Sequence, residues 1–146
     1  YNERGENERA EALLRQVVES QPEMYEMAYS LGLLLVEMNR YGEALDFLAQ
    51  ASAGLPGRSR IHYNLGLLYQ QQGDIVRAEQ KLVQALSLEP DNFDYQFGLA
   101  DHYIKRGLLQ QAVPIVQAMV TTHPERPTGM QMMQYLQSAL SAPSQQ

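Results

Sequence analysis

The chain has 146 residues, 45% of them apolar, which is enough to bury one core of ordinary domain size and too much for a disordered tail. Its formal charge of −6, from 17 acids against 11 Lys and Arg, argues against a nucleic-acid partner, because phosphate binding needs a clustered basic surface; a positive or neutral partner fits better. Zero cysteines excludes disulfides, thiolate metal sites and a cysteine nucleophile, and no apolar run is long enough for membrane insertion, since Leu31 to Val36 is cut short by Glu37.

The opening stretch, Tyr1 to Glu26, holds seven acids and three arginines, a net of −4, and reads as a solvated face. The chain opens without an initiating Met or a signal peptide and is expected to be an excised or processed piece of a longer protein. Cytoplasm and periplasm both remain open as its compartment, and the plain repeats suit a bacterial soluble protein.

In chain order, a first helix is expected at about Asn7 to Ser20, with Ala10, Leu14 and Val17 on its apolar side and Pro22 as its stop. A second carries Ala28, Leu31 and Gly32 and breaks at Asn39, a residue tolerant of left-handed backbone; a third carries Ala44, Leu48 and Ala51 and runs into Pro56. Ile61, Leu65, Leu68 and Tyr69 mark a fourth, which ends at Gln72-Gly73-Asp74, a glycine C-cap followed by an aspartate N-cap. The fifth holds Ala78, Leu82, Ala85 and Leu86 before Pro90; the sixth holds Leu99 and Ala100 and breaks at Arg106-Gly107. The seventh, led by Leu109, contains Pro114, whose missing donor predicts a kink or a delayed start. After Pro124 and Pro127 an eighth is expected from Thr128 to about Leu140, with Met130 and Met133 facing back and Gln131, Gln134, Gln137 and Ser141 facing water; 142–146 is expected to fray.

These elements repeat. Pro22, Pro56, Pro90 and Pro124 follow one another at a 34-residue step, and the same step links Ala10, Ala44, Ala78 and Ala112, then Leu14, Leu48, Leu82 and Val116. Gly32, Gly66 and Ala100 share another register, where small side chains let two helices approach closely. One helix pair cannot bury its own apolar face, so successive pairs must stack.

The pattern resembles the tetratricopeptide repeat, whose unit reads W-x2-L-G-x2-Y, then A-x3-F, then P. The middle unit reads His62-x2-Leu65-Gly66-x2-Tyr69, Ala78-x3-Leu82, Pro90; the next reads Gln96-x2-Leu99-Ala100-x2-Tyr103, Ala112-x3-Val116, Pro124. The first, Ala28-x2-Leu31-Gly32-x2-Leu35, Ala44-x3-Leu48, Pro56, loses the tyrosine. The resemblance implies an all-α fold, an α-α superhelix or right-handed solenoid of antiparallel helix hairpins, organised as a single array over 1–141. Its parts are a half-repeat 1–24, repeats 25–58, 59–92 and 93–126, a capping helix 127–141 and a flexible tail 142–146. In the half-repeat only Tyr1, in register with Leu35, Tyr69 and Tyr103, stands for a first helix. Two expectations follow: the parent protein continues before Tyr1, or copies pair as a homodimer through Leu13, Leu14, Val17 and Val18.

In the family, first helices line a groove that holds a peptide or helix of a partner protein. The resemblance places Glu26, Tyr29, Leu33, Val36 and Glu37 there from one unit, Arg60, Tyr63, Asn64, Leu67, Gln70 and Gln71 from the next, and Asp94, Phe97, Asp101, Ile104 and Lys105 from the third. The cap helix adds Gln131 and Tyr135. Tyr29, Tyr63 and Phe97 then make an aromatic series in one register of the repeat. The carboxylate clamp found in some members is not expected, because Tyr29, Leu33, Asp94 and Gly98 stand where it needs basic or amide side chains.

No catalytic, metal or cofactor site is expected. His62 takes the place of the repeat's large core aromatic, His123 adjoins a stop proline, and Asp101 and His102 point about 100° apart on a helix. No glycine-rich phosphate loop or GxSxG elbow occurs. The expected function is an interaction module; the alternatives are a regulatory or substrate-recruiting appendage of an enzyme, such as a glycosyltransferase or multihaem cytochrome, and a self-association array.

Overall fold

The computed structural model describes residues 3–142. Among them the chain forms eight α-helices and no strand: α1 (Glu3–Ser20), α2 (Tyr25–Glu37), α3 (Tyr41–Gly54), α4 (Ser59–Gln71), α5 (Ile75–Leu88), α6 (Phe93–Lys105), α7 (Leu109–Thr122) and α8 (Pro127–Ser141). The starts of α2, α4, α6 and α8 keep the step of the periodic prolines, as do those of α3, α5 and α7, so the proline spacing is the hairpin spacing. The fold class is all-α, the α-α superhelix. Tyr1, Asn2 and residues 143–146 lie outside the described part, and with them the register of Tyr1 and most of the expected tail.

Each hairpin turns on one residue with a left-handed backbone: Asn39 at φ 62°, Gly73 at 85° and Gly107 at 75°. That conformation folds the chain back so that the next amide reaches a carbonyl of the last helical turn, as Arg40 N does to Leu35 O, Asp74 N to Tyr69 O and Leu108 N to Tyr103 O. Asp74 also caps α5, its Oδ1 accepting from Arg77 N at 3.1 Å. Each second helix ends just short of its periodic proline, because the residue preceding a proline is pushed out of helical geometry.

The chain divides into two compact units, one running to Lys81 and one from Leu82. In the first, Ala28, Leu31, Leu35, Ala44, Leu48, Ala51, Ile61 and Leu65 are fully buried, matching the repeated registers. Gly32 brings α2 against α3: a Cβ on it would lie 2.7 Å from Leu48 Cγ and Cδ2. Gly54 leaves room for the Tyr25 ring, which a Cβ would enter.

His62 occupies the family's tryptophan position with a buried hydrogen-bond chain. Its Nε2 donates to the Pro56 carbonyl at 2.7 Å, so in the neutral ring Nδ1 accepts from Ser52 Oγ at 3.0 Å. Lys81 Nζ in turn donates to Ser52 Oγ at 3.0 Å, and burial lowers the pKa of that ammonium. In the second unit Gln96, one repeat on, makes the same kind of bond: its Nε2 donates to the Pro90 carbonyl at 2.9 Å. Buried polar side chains need partners, and at both places the first-helix side chain finds one in the loop preceding that helix.

α1 is tied to the first repeat by a ring of four charges. Arg15 contacts Glu11 and Glu43, both at 2.7 Å; Arg40 contacts Glu11 at 2.6 Å and Glu43 at 2.7 Å; and Arg15 lies 5.4 Å over the Phe47 ring. Burial alone would raise the Glu11 carboxyl, but the combined hydrogen bonds and charges of Arg15 and Arg40 outweigh it and hold the group below its ordinary value. Glu43 is lowered chiefly by its hydrogen bond with Arg40. Carboxyls lowered in the fold contribute stability above the unfolded carboxylate pKa and lose that contribution as the pH falls through the folded values. The docking of α1 is therefore expected to weaken below about pH 4 and in high salt. Hydrogen exchange of the α1 amides between pH 6 and pH 3 is the check; Glu11→Gln should remove part of the pH dependence, and equal protection of the variant and parent profiles would contradict it.

In the second unit Leu82, Ala85, Tyr95, Leu99, Ala100, Ala112, Val116, Met119 and Leu136 are buried. α7 packs on α6 and on α8. It starts at Leu109 and continues through Pro114, so the delayed start expected from that proline does not occur. The donor that Pro114 lacks would have served the carbonyl of Gln110, an exposed first-turn residue within reach of water.

Three further expectations need correction. α1 begins at Glu3 rather than Asn7. Val18 is only 6% exposed and belongs to the core, so of the four residues assigned to an open face Leu13 alone, at 64%, stands clear, with Leu14 and Val17 half-buried. Met130 does not face back: it is 50% exposed, and α8 instead buries Gly129 and Leu136. The small residue decides this, because a Cβ at Gly129 would already lie 3.2 Å from Val120 Cγ2 and 3.3 Å from Met119 Cβ, so α8 seats on α7 along that side.

Candidate functional site

In the first unit the expected groove residues converge between α2 and α4. Leu33, Val36, Asn64 and Leu67 line a cleft of about 180 Å³, with Leu48 and Leu68 also contributing and Gln71 as a second amide. Helical spacing explains the wall, since Leu33 and Val36 are three residues apart on α2 and Asn64 and Leu67 three apart on α4. Asn64 Nδ2 donates to Tyr29 OH at 2.8 Å, joining the two helices beside the cleft. The Arg60 guanidinium lies 5.2 Å over the Tyr63 ring one turn away. Gln70 is half-buried on α4 and does not line the cleft; Gln71 does.

The cleft is an apolar slot with two primary amides at its wall. Its volume suits one aliphatic side chain, and the amides offer donors and acceptors to a peptide backbone. Glu26, expected beside it, is engaged by Arg58 Nη2 at 2.6 Å.

In the second unit Phe97, Asp101 and Ile104 lie along the solvent side of α6, and Tyr135 is exposed on α8. Phe97 stacks beside Phe93, with ring centroids 6.4 Å apart and planes 16° apart, and Arg126 sits 4.1 Å over Phe93. Asp101 pairs with Lys105 at 2.9 Å. Phe93 and Arg126 were missed in the sequence because they belong to different helices' ends and their meeting depends on packing. Leu48 and Leu68 were read as core, which they are; that they also line the cleft has no signal in periodicity.

His62 is described above; His102 is buried beside Tyr103, ring centroids 5.9 Å apart; His123 Nε2 donates to the Asp91 carbonyl at 2.6 Å and meets Phe93 edge-on. Among the described residues no helix is long and apolar enough to cross a membrane.

Repeated hairpins with a cleft between successive first helices define a helical-repeat protein. The chain belongs to the tetratricopeptide repeat family, whose model matches residues 1–68, 35–82 and 69–140. It is 29% identical over 77 residues to cellulose synthase operon protein C of Pseudomonas fluorescens (strain SBW25), a match that takes in 53% of this chain and only 6% of that protein. Among solved structures it is similar to a crystal structure of MamA (TM-score 0.84, 17% identity, 94% of this chain and 80% of that one). It is also similar to YrrB, described as a TPR protein with an unusual peptide-binding site (TM-score 0.81, 20% identity, 93% and 70%), and to MamA residues 41 to the end from Desulfovibrio magneticus RS-1 (TM-score 0.74, 21% identity, 84% and 69%). At these identities the likeness is one of fold.

Proposed function

We propose that the chain is a protein-interaction module, one array of three repeats flanked by α1 and α8, that holds a peptide or helix of a partner along its first helices. The observation that carries this is the cleft of about 180 Å³ between α2 and α4, apolar on Leu33, Val36 and Leu67 and bordered by the amides of Asn64 and Gln71. An aliphatic anchor buried there supplies binding energy while the amides meet its backbone. The test is selection from a displayed random-peptide library, followed by affinity measurement on variants. Leu67→Asp should weaken the selected peptides by about 2 kcal/mol, roughly thirtyfold, with helicity retained. Val76→Asp, at an exposed apolar residue that does not line the cleft, should leave affinity unchanged. Failure to select any peptide, or equal affinity for Leu67→Asp, would sink the proposal.

Two other readings each rest on one observation. The match to 6% of cellulose synthase operon protein C favours a recruiting segment of a much larger protein, which the flanking sequence tests directly. The exposure of Leu13, next to half-buried Leu14 and Val17, favours pairing of copies through α1. A sedimentation profile that stays monomeric at high concentration would count against pairing.

A further inference from the structure

We propose that the solvent stripe of α6 around Phe97 binds an arginine side chain of the partner, so that the segment held by this protein is basic. This rests on the interaction reading above and adds the chemistry of the ligand. The residues of α6 that reach solvent include Asp94, Phe97 and Asp101, three and four residues apart and hence on one face, with Phe97 38% exposed between the two acids. The ring is backed by Phe93, which already carries a guanidinium, Arg126, at 4.1 Å.

The repeat itself shows what such a place accepts. One period earlier the corresponding residues are Arg60, Tyr63 and Leu67, and there the chain's own Arg60 lies over Tyr63 at 5.2 Å. In the next repeat the arginine is replaced by Asp94 and the leucine by Asp101, so the aromatic remains while the charge beside it is reversed. From Leu82 onward the chain has five acids and three bases, an excess of the same sign. Asp101 accepts from Lys105, and a carboxylate has lone pairs for further donors. A guanidinium satisfies all of these features together, because it is flat enough to stack on the ring and forked enough to reach a carboxylate; an ammonium stacks less well and offers no fork.

The experiment uses the whole chain and capped peptides of alanine, serine and leucine bearing one arginine, or citrulline or lysine in its place. Affinity is read by fluorescence anisotropy, and contact by the ring signals of labelled phenylalanine, of which the chain has three. The arginine peptide should shift the Phe97 signals and bind about tenfold tighter than its citrulline twin. Phe97→Leu, and separately Asp94→Asn with Asp101→Asn, should abolish that preference, whereas Phe97→Tyr and the remote pair Glu19→Gln with Glu23→Gln should keep it. Equal binding of arginine and citrulline peptides, unmoved Phe97 signals, or a preference that survives the two α6 asparagines would overturn the proposal. If peptides bind in a Leu67-dependent way without preferring arginine, this inference fails and the interaction reading stands; if no peptide binds, both fail.

Discussion

Leu48→Ala is expected to lower the unfolding free energy by about 2–5 kcal/mol, the range for emptying a fully buried leucine site. Leu48 sits at the centre of the first unit's core, and Gly32 is kept bare by it, with a Cβ at that glycine falling 2.7 Å from the Leu48 side chain. Gly32→Ala alone gains about 1 kcal/mol of helix propensity but forces the buried Leu48 to move, a cost of about 1–3 kcal/mol. With Leu48 already shortened, the side-chain obstruction is gone, leaving only the backbone N of residue 48 close by at 3.3 Å, and the new methyl group enters the space left behind. The double variant should thus be more stable than the sum of the two single effects by about 1–2 kcal/mol. Urea unfolding followed by circular dichroism measures all four corners of the cycle. Additive effects would mean that the close approach of α2 and α3 is not what places glycine at this register.

His62→Ala is expected to cost about 3 kcal/mol, since it empties the site of a fully buried ring and removes the hydrogen-bond partner of the Pro56 carbonyl and of the buried Ser52 hydroxyl, which keeps only its bond from Lys81. His62→Gln should cost much less, because Gln96 already makes the equivalent bond to the Pro90 carbonyl one repeat later. His62→Phe restores the aromatic bulk of the family position without a donor and should fall between them, about 1–3 kcal/mol below the parent. Thermal unfolding at neutral pH ranks the three. A phenylalanine variant as stable as the parent would show that shape alone holds this position, and a glutamine variant as damaged as alanine would break the equivalence between the two repeats.

The candidate site was legible to the extent that it follows the repeat. Leu33, Val36, Asn64 and Leu67 share one cleft because first helices one period apart lie side by side, and residues at helical spacing on each then face the same space. Gln70 and Gln71 are adjacent in sequence, and only the rotation of α4 decides that the latter lines the cleft. The Phe93 and Arg126 pair lies outside any local period, so no pattern pointed to it.

By itself the amino-acid sequence determined the number of hairpins, the constant step between them, the residues at which the chain reverses and the registers that must be buried. These are local matters of backbone geometry and apolar periodicity, and they recur often enough in one chain to be read without a relative. The tertiary structure alone decided the burial of Gly129 instead of Met130, the removal of Val18 into the core, and the four-charge ring holding α1. Each of those depends on which side chain from a distant segment already occupies the space, and that competition is settled only when the helices are packed.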